Sequence, residues 1–67
     1  MKRRTWLTQR RLEKGFTQIE LAKKVGVSNQ TISDIERGVR NPSPKLAMKI
    51  SKVLGFDMSY FYKDLAS

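Results

Sequence analysis

The stretch GVSNQTISDIERG, residues 26–38 of this 67-residue sequence, sets its apolar side chains far apart and crowds five polar ones on a single side. Wound as a helix at about 100° per residue, it divides cleanly in two. Ser28, Thr31, Ile32 and Ile35 fall on one side. Asn29, Gln30, Ser33, Asp34 and Arg37 fill an arc of roughly 140° on the other. The first side has just enough apolar surface to hold a helix down. The second offers polar groups of short or medium reach. A side-chain amide donates and accepts at once, matching N6 and N7 of adenine; a hydroxyl takes either role, and arginine suits guanine. Asp34 can accept from cytosine N4, disfavour wrong sequences by repulsion, or simply be solvated. These residue types fit recognition of base edges.

Bond-breaking chemistry has little to draw on. The chain holds no histidine and no cysteine, and its six acidic residues are scattered. Metal-ligand sets and Cys/His or Ser/His/Asp constellations therefore cannot be assembled, so no enzyme, metal or cofactor is expected. Fourteen Lys and Arg against six Asp and Glu give a net charge of +8, which on so short a chain predicts attraction to a polyanion. Nucleic acid and an anionic membrane both qualify on charge alone. The third helix argues against the membrane, because it lacks the broad band of large apolar groups opposite lysine that interfacial helices carry. Met-Lys-Arg-Arg at the start resembles the charged end of a signal peptide, but no apolar run follows and no segment could span a bilayer. A cytoplasmic location is expected, with no membrane partner.

The elements that position these residues are marked by local signals. Gly15, Gly26, Gly38 and Gly55 fall where helical patterns end. Thr17-Gln18-Ile19-Glu20 has the form of a capping box, Ser28 and Asp57 suit helix caps, and Ser43-Pro44 sets a cap before a proline at the first helical position. Five helices are predicted, over residues 4–14, 18–25, 29–37, 44–54 and 58–65. Leu46, Ala47, Ile50, Val53 and Leu54 form one apolar stripe, and Met58, Phe61, Tyr62 and Leu65 another. No segment alternates with a period of two, so the fold class is all-α, one domain over 1–67. The five helices occupy the whole chain, and neither a separate ligand domain nor a small-molecule effector is expected.

From Gln18 through Arg37 the pattern resembles the helix-turn-helix of the Cro/cI-type (XRE) repressors. The likeness runs through FTQIELAKKVGVSNQTISDIERG into NPSPKLAMKISKVLG and covers residues 7–62. It implies a compact five-helix, lambda-repressor-like DNA-binding domain, with the motif formed by helices two and three. It further implies that the second helix of the motif enters the major groove, with Asn29, Gln30, Ser33 and Asp34 as the base-reading residues. Carried over by position, Gln18 would hold a phosphate and brace the reader helix. Ser28 and Thr31 would meet the backbone near the helix start, with Arg37, Arg40, Asn41 and Lys45 gripping sugar-phosphate at its flanks. Arg11 and Glu36 match a pair forming a salt bridge in such proteins. Arg10 departs from the pattern, where leucine is frequent, and is assigned to DNA or solvent. The Lys2-Arg3-Arg4 cluster reads as a frayed terminus, with an arm on DNA as the alternative.

Four of the six aromatic residues lie within positions 56–62. Phe56, Met58, Tyr60, Phe61 and Tyr62 are taken as a dimer interface that Trp6 could join, with a purely core role as the alternative. The functional expectation is a sequence-specific double-stranded DNA-binding transcriptional regulator, a repressor acting as a homodimer on a pseudo-palindromic operator. The alternative is an antitoxin or other protein-interaction module, bound to a protein partner, with DNA binding secondary.

Overall fold

Thr17 and Glu20 start the second helix by satisfying each other's backbone. The Glu20 N–H donates to Thr17 Oγ1 at 3.1 Å, and the Thr17 N–H donates to Glu20 Oε1 at 2.9 Å. The same logic opens the next two helices, where Ser28 Oγ accepts from the Thr31 N–H and Ser43 Oγ from the Leu46 N–H, each at 3.2 Å. Because caps of this kind satisfy otherwise orphaned donors, Thr17→Ala is expected to cost about 1 kcal/mol of stability. A urea denaturation midpoint checks it, and an unchanged midpoint would discount the box.

The computed structural model describes residues 3–66, with side chains placed through Lys63. Lys2 of the basic cluster and the Leu65 side chain lie outside the described set. The elements are α1 (Thr5–Glu13), α2 (Gln18–Val25), α3 (Asn29–Arg37), α4 (Pro44–Leu54) and α5 (Ser59–Ala66). No strand occurs among the described residues. The differences from the sequence expectation are single residues at both ends of α1, at the end of α5 and at its start. At the latter, Asp57 Oδ1 accepts from the Ser59 N–H at 2.9 Å and holds the chain before the helix begins.

Helices α2 and α3 cross closely. Ala22, 2% exposed, lies where they approach, and its carbonyl accepts from the N–H groups of Gly26 and Val27 at 2.8 and 3.0 Å. Gly26 ends α2 with φ of 77°, a conformation that side chains with a Cβ rarely adopt. Ile32 and Ile35, 1% and 0% exposed, turn one face of α3 into a core shared with Leu7, Leu21, Val25, Ile50 and Leu54. That burial fixes the rotation of α3 and thereby the direction of its polar face.

Helix α5 closes the core with Phe61, which is 1% exposed. Its ring lies 5.3 Å from Trp6 and 5.6 Å from Phe56, between α1 and the α4–α5 turn. Phe61, expected at a dimer interface, is therefore an interior residue: its position on the helix points it at α1. Phe56 and Met58 are half-buried against the same core. Tyr60 and Tyr62 stay at the surface, 39% and 50% exposed.

Candidate nucleic-acid interface

One buried carboxylate sets the position of the polar helix face. Glu36, 3% exposed, points from α3 toward α1 and α2. It accepts from Thr8 Oγ1 at 2.8 Å, from Arg11 Nε at 2.7 Å and from Gln18 Nε2 at 3.2 Å, with Arg11 Nη2 at 3.3 Å. Arg11, 8% exposed, also donates to the Phe16 carbonyl at 2.8 Å. Arg11 and Glu36 thus form a buried ion pair, and Gln18 ties the start of α2 to the end of α3. With several donors around it, the charge is compensated in the low-dielectric interior.

A second clamp holds the same, C-terminal end of α3. Arg4 is 2% exposed, and its guanidinium donates to the Ile35 carbonyl at 2.8 Å, the Arg40 carbonyl at 3.1 Å and Asn41 Oδ1 at 2.6 Å. Its backbone N–H donates to the Glu36 carbonyl at 2.8 Å, and its charge stands 5.8 Å from the Phe61 ring centre. The reading of residue 4 as part of a frayed terminus is corrected by these contacts: a planar fork of donors serves several acceptors at and beyond the end of α3 at once.

Away from these two clamps, the outer side of α3 is open. Asn29 and Gln30 are exposed, while Thr31, Ser33 and Asp34 are half-buried. Ser28 Oγ lies 3.0 Å from Thr31 Oγ1, so these two hydroxyls occupy each other at the helix start. Gln30 Nε2 and Arg37 Nη2 both donate to Asp34 Oδ1, at 2.9 and 2.6 Å. The Arg37 hydrogen bond, then that of Gln30, holds the Asp34 carboxyl below its ordinary range. Arg37, Arg40, Asn41 and Lys45 are exposed at the end of α3, in the following turn and in the first turn of α4. A shallow groove beside Gly26 and Val27 is lined by Ser43, Lys45 and Lys49, which brings a cation that sequence reasoning did not single out next to one that it did.

Arg10 does not join this set. Its guanidinium lies 5.2 Å from the Tyr60 ring centre and 5.7 Å from that of Phe56, stacked on the α5 side of the molecule. Arg10, expected to face DNA or solvent, makes cation–π contacts here, since a partly desolvated guanidinium is attracted to aromatic faces. Among the described residues, no group of His, Cys, Asp or Glu could hold a metal ion, and no helix is long and apolar enough to cross a membrane.

Comparison with known proteins bears directly on this arrangement. A helix-turn-helix family model matches residues 7–61, which include α2, α3 and the turn between them. The chain belongs to the XRE-type helix-turn-helix regulators. It is 44% identical over 64 residues to the uncharacterized HTH-type transcriptional regulator YqaF of Bacillus subtilis, covering 96% of this chain and 84% of that protein. It is 52% identical over 51 residues to the uncharacterized HTH-type transcriptional regulator MJ0272 of Methanocaldococcus jannaschii, covering 73% of this chain and 77% of that one. It is also 45% identical over 49 residues to the HTH-type transcriptional regulator SinR of Bacillus subtilis, spanning 72% of this chain and 44% of SinR. The all-helical architecture suits the lambda-repressor-like fold of such regulators.

In this XRE-type regulator, sequence reasoning missed Arg4 and Thr8. Each bonds to residues 28 to 37 positions away. Thr8 carries a usable signal, because it lies three residues before Arg11 on the same face of α1. Arg4 carries none, since an arginine in a basic terminal cluster looks the same whether buried or solvated.

Proposed function

We propose that this regulator binds double-stranded DNA in a sequence-specific manner and represses transcription by occupying a promoter. Supporting this is one observation above the rest: α3 is held by apolar burial on one side and by two buried networks at its C-terminal end, while Asn29 and Gln30 stand exposed on the other side. In this reading Asn29, Gln30 and Ser33 read base edges in the major groove. Arg37, Arg40, Asn41 and Lys45 hold phosphates on the flanks, with Gln18, Ser28 and Thr31 near the start of the motif. The excess of positive charge supplies the sequence-independent part of the affinity, which weakens steeply as salt rises.

The regulator acts as a homodimer on a pseudo-palindrome whose half-sites lie about one helical turn, roughly 34 Å, apart. Tyr60 and Tyr62, exposed beside half-buried Phe56 and Met58, are the surface offered to the second copy.

Selection of bound duplexes from a random pool, followed by footprinting, tests specificity, symmetry and stoichiometry together. On the selected site, Gln30→Ala is expected to cost about 1–3 kcal/mol of binding free energy and little on random duplex. Equal losses on every duplex would remove Gln30 from the base-reading set.

A further inference from the structure

Gln30, Asp34 and Arg37 are spaced i, i+4 and i+7 along α3, and the carboxylate in the middle binds both neighbours through one oxygen, Oδ1, at 2.9 and 2.6 Å. An ionised carboxylate only accepts hydrogen bonds, so the end of Gln30 that faces it must be the NH2 group. This fixes an orientation that an amide otherwise leaves open, since its two ends have nearly the same shape. One N–H is engaged by Asp34. The second N–H and the carbonyl oxygen of this exposed side chain are left for another partner. That pair is complementary to the N7 acceptor and N6 donor of adenine. Arg37, bonded to the same oxygen, is held beside the reader row, and a negative charge stands on the face turned toward DNA phosphates.

We propose that Asp34 is a positioning residue for base recognition: it orients the Gln30 amide to read adenine and restrains Arg37, so that selectivity is gained while affinity for arbitrary DNA is reduced. The inference rests on the DNA-binding reading above and deepens it by naming the base and the residue that enforces it. A reader free to rotate could present its donor or its acceptor first and would tolerate more than one base. A free Arg37 would hold its phosphate more strongly on any sequence, because Asp34 would no longer compete for the guanidinium.

The test uses the full chain and fluorescence-anisotropy titrations. The duplexes are the site selected by the wild-type protein, its single-base-pair variants and a random duplex. The proteins are wild type, Gln30→Ala, Asp34→Asn and the double variant, with thermal melts establishing that each is folded. Asp34→Asn is expected to bind random duplex about three- to tenfold more tightly, with a salt slope steeper by about one. Its preference for A·T at the pair where Gln30→Ala loses discrimination should fall about tenfold. Asp34→Asn should then cause no further loss of preference in the Gln30→Ala background. Asp34→Ala, which lacks an acceptor, should reproduce both shifts.

Loss of discrimination at a different base pair, or an additive loss in the double variant, would mean that Asp34 touches a base itself and would overturn the proposal. So would a preference other than A·T beneath Gln30, or an unchanged preference in Asp34→Asn. A wild-type protein that selects no sequence at all defeats the DNA-recognition reading as a whole, an outcome separable from these.

Discussion

Glu36→Ala is expected to destabilise the domain by about 3–5 kcal/mol, because it removes one partner of a buried ion pair and leaves the other charge uncompensated. The Arg11 guanidinium, 8% exposed, would lose its 2.7 Å bond, and Thr8 and Gln18 would lose the acceptor they share with it. Folded domains hold a margin of about 5–15 kcal/mol, and small ones have the least apolar burial to draw on. A large part of the population should therefore be unfolded at 25 °C, as circular dichroism against urea would show. Replacing both partners by apolar residues of similar volume, Arg11→Met with Glu36→Leu, should be far milder than either single truncation. A midpoint shift worth less than about 1 kcal/mol in Glu36→Ala would show that the network contributes little beyond its geometry.

Arg4→Ala should cost on the order of 3 kcal/mol, since it strips donors from two backbone carbonyls and one side-chain amide at the end of α3. Arg4→Lys should recover little of this, because one ammonium on a flexible stem cannot serve the Ile35, Arg40 and Asn41 acceptors in the geometry a planar fork provides. The neighbouring Arg3 is exposed, and Arg3→Ala should stay within about 0.5 kcal/mol of the parent. The two substitutions also separate by DNA binding. A loosened turn after α3 displaces Arg40 and Asn41 together, so Arg4→Ala should weaken binding to selected and random duplexes alike. A specific loss confined to the selected site would count against this assignment of Arg4.

The helices were legible because their signals are local. A threonine three residues before a glutamate, a serine before a proline and a glycine after an apolar stripe each act within one turn of backbone. The inward face of α3 was legible too: Ile32 and Ile35 lie about 60° apart around the axis and can be buried together. What escaped reading was tertiary. Phe61 and Tyr62 differ by one step around α5, and the stripe alone does not say which of them meets Trp6. Arg10 gives no sign in sequence that the rings of Phe56 and Tyr60 stand beneath it. Arg4 and Arg3 are identical in type and adjacent in position, yet one is buried and the other exposed. Only the packing of α1 against α3 tells them apart.

The parts that hold α3 and the parts it displays are different side chains. Ile32, Ile35 and Glu36 anchor it, while Asn29 and Gln30 are exposed and make no contribution to the core. The scaffold is consequently retargetable: the displayed side chains can be exchanged for others of similar size at little thermodynamic risk. On the proposed base-reading role of these side chains, such a domain acquires a new address in the genome by a handful of surface replacements, while drift in the anchors is penalised by unfolding.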